Sequence, residues 1–203
     1  MPAPATPPTI GRPRDAALDA AILRAAMELL GERGLSALTM DAVAQRAGAG
    51  KASVYRRWKS KDELLADALA MYAPVDVEID TGTLRGDLIA LYAHHYGIGN
   101  PVTQAAMQEI LGNVRQHLAW TAKVAPARLT TRRAKVQEIF ARAIARGEIA
   151  APSDLDLVAD LVPAMVLYQY NTRAQKVSRA RLARLVDGLV LPLVGLPGTA
   201  ARP

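Results

Sequence analysis

The stretch from Leu38 to Leu65 leaves the backbone few choices. Met40, Val43, Ala44 and Ala47 recur at i, i+3, i+4 and i+7, which lines one face of a short helix, and Thr39 stands where a side-chain oxygen caps its start. Gly48-Ala49-Gly50 follows and forces a turn, because two glycines in three residues tolerate backbone angles that end a helix. A second helical pattern begins at once. Val54 and Trp58 lie four apart and share a face, so Lys51, Ala52, Ser53 and Arg56 point outward. Ser60, with Glu63 three residues on, forms a capping box ahead of Leu64, Leu65, Ala68 and Leu69. Two short helices, a tight turn and an exposed basic second helix make a helix-turn-helix.

Such a motif presents the first turn of its second helix to the major groove. Lys51, Ala52 and Ser53 therefore lie nearest to base edges: Lys51 suits guanine O6 and N7, Ser53 pairs with several bases, and Ala52 suits a thymine methyl. Trp58 is assigned to packing. Over these residues the sequence resembles the TetR family of bacterial transcription regulators, whose pattern is met at Thr39, Met40, Val43, Ala44, Ala47, Gly48, Ala49, Val54, Tyr55, Trp58, Lys61, Leu64 and Leu65. The resemblance is tight over residues 15 to 70 and beyond them rests on size and helical layout. It implies that the Tyr55 hydroxyl meets a phosphate and that Thr39 and Lys61, near helix N-termini, hold phosphates too. Arg56 and Arg57 contact base or backbone, unless one of them is only solvated. Asp41 departs from the family, being acidic where some members read a base with a basic or polar residue.

Charge agrees. The chain of 203 residues has a net charge of +6 and an isoelectric point near 9.8. Residues 1–61 hold ten basic against five acidic side chains, so most of the excess sits on the proposed DNA-binding segment. There are no cysteines, which excludes disulfides and thiolate metal sites. The Pro/Ala-rich start, residues 1–12, is read as a disordered tail rather than a signal peptide. Arg12 and Arg14 beside it are read as solvated charges or as an arm reaching phosphate or minor groove.

Helical patterns fill the rest. Leu18, Ile22, Ala25 and Leu29 predict a first helix from about Arg14 to a stop at Gly34. Residues 74–82 alternate apolar and acidic side chains but have no partner strand, so a loop is expected. Thr83 caps a helix bearing Leu84, Leu88, Leu91, Tyr92 and His95; Asn100-Pro101 opens another with Ala106, Ile110, Val114 and Leu118. The pattern breaks between Trp120 and Pro126, which predicts a new helix from about Ala127 to Arg146. Its apolar set is Leu129, Val136, Ile139, Phe140, Ala143 and Ile144. Arg128, Arg132, Lys135, Arg142 and Arg146 are read as its solvated face, with a second nucleic-acid surface as the alternative. Ser153 or Asp154 caps a helix with Leu155, Val158, Leu161, Val162, Met165 and Tyr168. A last one, from Ser178 to about Leu191, shows Leu182, Leu185, Val186, Leu189 and Val190. Neither is apolar for long enough to cross a bilayer.

Catalytic readings fail on particular residues. A phosphate-binding loop at Gly48-Ala49-Gly50-Lys51 needs a glycine at Gln45 and a hydroxyl at Ala52. His94 and His95, adjacent on a helix, point about 100° apart and cannot grip one metal, and His117 has no ligand at suitable spacing. No catalytic residue, metal or cofactor is expected.

The chain is therefore expected to be an all-α, cytoplasmic protein: a three-helix DNA-binding head with linking helix over residues 13–73, a helical regulatory and dimerisation domain over 74–195, and a flexible tail over 196–203. The resemblance implies a homodimer formed through the last two helices, and a repressor that leaves a palindromic operator when a small apolar or amphipathic effector changes the separation of the heads. Tyr92, His95, Met107, Ile110, Trp120, Phe140, Met165 and Tyr168 are the candidate pocket residues. Two alternatives are a helix-turn-helix protein under constitutive or protein-partner control, which a body without a cavity would favour, and a small helical enzyme, which turnover would reveal.

Overall fold

The computed structural model describes residues 15–74, 76–113, 118–150, 154–173 and 176–197, and every regular element in them is helical. The N-terminal tail with Arg12 and Arg14, and also Val114, His117, Ser153 and residues 198–203, lie outside the described residues. Asp15 starts α1 (Ala16–Ala37) by accepting from the amides of Ala17 and Leu18, and helical geometry is interrupted at Gly34, with φ 79°. The expected stop is thus a kink, and helical turns continue past it to Ala37. Thr39 caps α2 (Met40–Arg46) by accepting from Ala42 N at 3.1 Å. Gly48, at φ 64°, makes the turn into α3 (Lys51–Arg57), a conformation that a side chain bearing Cβ resists. Ser60 caps α4 (Lys61–Tyr72), while Glu63 closes the same end by accepting from Lys59 N.

These four helices bury Ile22, Leu30, Val43, Val54, Leu64 and Leu65 completely. Each such side chain stabilises by roughly 1.5–3 kcal/mol, enough to hold helices too short to persist alone. Trp58 joins this core and donates its indole N–H to Asp67 at 2.9 Å. The core does not end with the head, because Ala106, Met107 and Trp120 from later helices complete it.

A loop over residues 76–83 leads to α5 (Leu84–His95), capped by Thr83, and then to α6 (Pro101–Gly112), capped by Asn100 with Pro101 in its first turn. The helix expected from Ala127 begins earlier. α7 runs from Leu118 to Ala145 without interruption and carries Pro126 inside it. The proline removes one amide donor, but Ala122 and Pro126 are exposed, so the freed carbonyl meets water instead of an apolar core. α8 (Leu155–Arg173) is capped by Asp154, whose carboxylate accepts from Leu157 N. Ser178 caps α9 (Arg179–Leu185). The final helix is not regular to Leu191. A π-helical turn, Val186–Val190, carries it into a closing turn at Leu191–Leu193, and this extra residue per turn lets Leu185, Val186, Val190 and Leu191 all be buried. The second core joins α5, α7, α8 and the last helix around Leu84, Leu88, Tyr92, Phe140, Val162 and Leu182. No helix of the described residues is long and apolar enough to cross a membrane.

The basic stripe of α7 is only partly a solvated face, since Arg146 is exposed but others turn inward. Arg132 is only 7% exposed, Arg128 donates to Leu69 O and Ala73 O, and Arg142 donates to Ile79 O at 2.5 Å. Arg142 and Arg146 also flank the fully buried Asp87, each 3.5 Å from its Oδ2. The side chains on the solvent side include Leu129 and Ile144, both assigned to the apolar set from the sequence. Arginine reaches inward here because backbone carbonyls and Asp87 satisfy its head, while its stem packs as an apolar group.

Candidate nucleic-acid interface and ligand cavity

The second helix of the motif presents Lys51, Ala52, Tyr55 and Arg56 to solvent, with Tyr55 half exposed. Thr39 is exposed at the start of α2, although its hydroxyl already caps that helix. Lys51 Nζ pairs with Asp41 Oδ2 at 2.6 Å, and this partner holds the ammonium above its ordinary pKa. Asp41, the departure from the family pattern, thus anchors the lysine that opens α3. Ser53 is less open: its hydroxyl accepts from Arg57 at 2.6 Å. Arg57 folds inward, pairs with Asp19 of α1 and also donates to Ser53 O. Lys61 donates from Nζ to Leu35 O at 2.9 Å, tying α4 to the end of α1. Two of the eight candidate DNA residues, Arg57 and Lys61, therefore brace the head. Among the described basic residues up to Lys61, Arg33, Arg56, Lys59 and Lys61 have no ion pair, whereas Arg24 and Arg46 are held by Glu28 and Glu32.

Four of the eight pocket candidates come together. His95, Met107, Ile110 and Trp120 line a cavity of about 130 Å³ between α4, α5, α6 and α7. Leu69, Tyr96, Leu111 and Leu129 complete its apolar wall, and Arg128 and Arg132 bring charge to it. Burial pushes His95 down to about 3, with help from Arg132 and Arg128, so the imidazole is neutral. Burial likewise raises Tyr96 to about 12 and lowers Arg128, the latter also through repulsion from Arg132. The other four candidates lie elsewhere. Tyr92 and Phe140 are solid core, and the Tyr92 hydroxyl is spent on Ala159 O. Met165 lines a separate groove beside α9, and Tyr168 is 54% exposed.

The sequence reading missed Arg128 and Arg132 as cavity residues. A signal was present: Arg132 precedes Val136 by four and Phe140 by eight, so it continues their buried stripe.

An exposed helix-turn-helix on a helical body with an apolar cavity partly open to solvent defines a DNA-binding regulator. The family model for bacterial regulatory proteins of the tetR family matches residues 22–68, and that for the tetracyclin repressor-like C-terminal domain matches residues 78–189. The uncharacterized HTH-type transcriptional regulator Rv1556 of Mycobacterium tuberculosis (strain ATCC 25618 / H37Rv) is 34% identical over 196 residues, covering 92% of this chain and 91% of its own. The DNA-binding transcriptional repressor TetR of Mycobacteroides abscessus is 33% identical over 191 residues, covering 86% and 93%. Among solved structures, the TetR family transcription regulator SCO0332 has a TM-score of 0.59 at 25% identity, covering 85% of this chain and 96% of that one. The chain belongs to the TetR family and is a DNA-binding transcriptional regulator with the all-α fold of that family.

Proposed function

We propose that the protein represses transcription from a palindromic operator as a homodimer and is released when a small molecule occupies the cavity beside α4. The observation that carries this reading is the position of Arg128. It lies on the cavity wall and donates to Leu69 O at 3.4 Å and to Ala73 O at 2.7 Å, at the C-terminal end of the helix that continues from the head. An occupant that engages Arg128 pulls on that helix. It shifts the equilibrium by as much as it prefers the head spacing that misfits DNA. The relative from Mycobacteroides abscessus, named a repressor, supports the sign of regulation.

In this reading Lys51, Ala52 and Ser53 read bases, while Thr39, Tyr55, Arg56 and Lys61 hold phosphates; Lys61 keeps two N–H donors beyond the one given to Leu35 O. Arg57 sets the pitch of α3 through Asp19. The dimer forms through α8 and the last helix, which leave Leu157, Tyr168 and Leu193 exposed and form between them a groove lined by Met165 and Leu189.

Selection of genomic fragments by the purified protein, at fixed near-physiological salt, tests the reading. An enriched inverted repeat with half-sites about one or more helical turns apart is the expected result. Binding that fades with salt and enriches nothing removes the specific repressor. Once the operator is known, Lys51→Ala costs roughly 1–3 kcal/mol on it and relaxes its sequence preference.

A further inference from the structure

The cavity between α4, α5, α6 and α7 holds more positive charge than the protein around it balances. Arg132, 7% exposed, lies on its wall, and its Nε has no hydrogen-bond partner. Asp160 is the one carboxylate paired with it among the described residues, at 3.7 Å from Nη2, and Arg133 holds that same carboxylate more closely. Arg128, one turn earlier on the same wall, has only backbone carbonyls as acceptors. Arg132 and Arg133 thus share one carboxylate, and Arg128 has none. Two further enclosed polar atoms of the wall, His95 Nδ1 and Trp120 Nε1, are also unpartnered. A buried cation short of counter-charge, beside unspent donors, is a site built for an anion.

The remaining wall narrows the anion. Leu69, Met107, Ile110 and Leu129 offer nothing to a fully hydrated inorganic ion, whereas they reward an apolar body. The volume of about 130 Å³ approaches the roughly 150 Å³ that admits benzene to an apolar protein cavity. From this juxtaposition we propose that the cavity binds a small amphipathic carboxylate, the size of one aromatic ring or a short acyl chain. Its carboxylate lies between Arg128 and Arg132, and its apolar body lies against Met107, Ile110 and Trp120. A planar, singly charged carboxylate matches the guanidinium fork. The proposal rests on the effector reading above and adds the chemical class of the effector.

Two tryptophans make the test direct. The Trp58 indole is bonded to Asp67 in the head, whereas the Trp120 indole is unpaired at the cavity. The isotope-labelled full chain is titrated with benzoate and hexanoate, and separately with benzamide and hexanamide, while both indole N–H resonances are followed. The acids are expected to move the Trp120 resonance to saturation, and the amides are expected to leave it in place. Arg132→Met and Arg128→Met, each removing one guanidinium, weaken the acids about tenfold or more, and Arg33→Met, an exposed charge far in sequence from the cavity, does not. Amides that bind as well as the acids, acids that bind both variants unchanged, or a Trp120 resonance that no acid moves each overturn the proposal. The effector reading fails separately. An operator complex dissociated by a neutral compound keeps that reading and removes only the carboxylate, whereas operator binding that no occupant of the cavity alters removes the reading even if the acids bind.

Discussion

Lys51 and Arg132 carry the same charge on helical faces, but their surroundings differ. The Lys51 side chain is 68% exposed and pairs directly with Asp41 at the surface, while that of Arg132 is 8% exposed and shares a distant carboxylate. A surface pair such as the first is worth roughly 0.2–1 kcal/mol, so Asp41 yields the lysine to a base or phosphate at little cost. At the head Lys51 thus sits in a pair that exchanges readily, and Arg56 is exposed without one. On α7 the cations are committed: Arg128 to the end of α4, Arg142 to the loop before α5, and Arg142 and Arg146 to Asp87. Charge at the head is available to a polyanion, and charge in the body holds helices in place.

The sharpest break of that contrast is Asp87→Ala. Asp87 is fully buried, accepts from Thr81 N at 2.5 Å and from the Thr81 hydroxyl at 2.8 Å, and faces two guanidiniums. Its removal strips the Thr81 amide and hydroxyl of their acceptor and takes a carboxylate from Arg142, while Arg146 keeps Glu148 and Asp80, and should cost about 3 kcal/mol in urea denaturation. Asp41→Ala, the matching change at the head, should stay within about 0.5 kcal/mol. Equal losses at the two sites would erase the distinction.

Arg57→Ala is next. It belongs to the head by position but to the body by behaviour, since the Arg57 and Asp19 side chains are 15% and 27% exposed. Loss of its hydrogen bonds to Asp19 and Ser53 should lower stability by about 1.5–3 kcal/mol, read from the same denaturation curves. A variant of unchanged stability that loses only phosphate affinity would return Arg57 to the DNA-contacting set.

His95 gives the cavity a signature in pH. Its pKa falls from 6.5 in the unfolded chain to about 3 in the fold. Between those values the unfolded chain binds a proton that the folded one refuses, so stability rises with pH from about 3 to 6.5 and is lost on acidification. The slope should reach about 1.4 kcal/mol per pH unit, and His95→Phe should flatten it across that window. A slope unchanged in the variant would mean that other groups carry the acid sensitivity.

How far the sequence reaches depends on how local the determinant is. Thr39, Ser60, Thr83, Asn100 and Ser178 all cap the helices they precede, because a cap is decided within four residues. α7 runs on through the pattern break at Trp120 to Pro126 because an interior proline weakens a helix without always ending it, and its arginines face inward because their acceptors lie far away in sequence. Those acceptors are 55 and 59 residues away in sequence for Arg128. The cavity was half legible for the same reason. Side-chain type nominated His95, Met107, Ile110 and Trp120 together with Tyr92 and Phe140, and only packing separates a wall from a filled core. The π-helical turn at Val186–Val190 has no local mark in the near-heptad run that contains it.

The smallest expected effect tests the head at its simplest charge. Arg56 is exposed on α3 and has no ion pair, so nothing in the fold depends on its guanidinium. Arg56→Ala should leave the denaturation midpoint unchanged and reduce the slope of log affinity against log salt by about one, equally on operator and unrelated DNA. That result would mark Arg56 as a phosphate contact that supplies attraction without reading sequence. A loss confined to the operator would instead place its guanidinium on a base edge, and α3 would then read DNA over two turns rather than one.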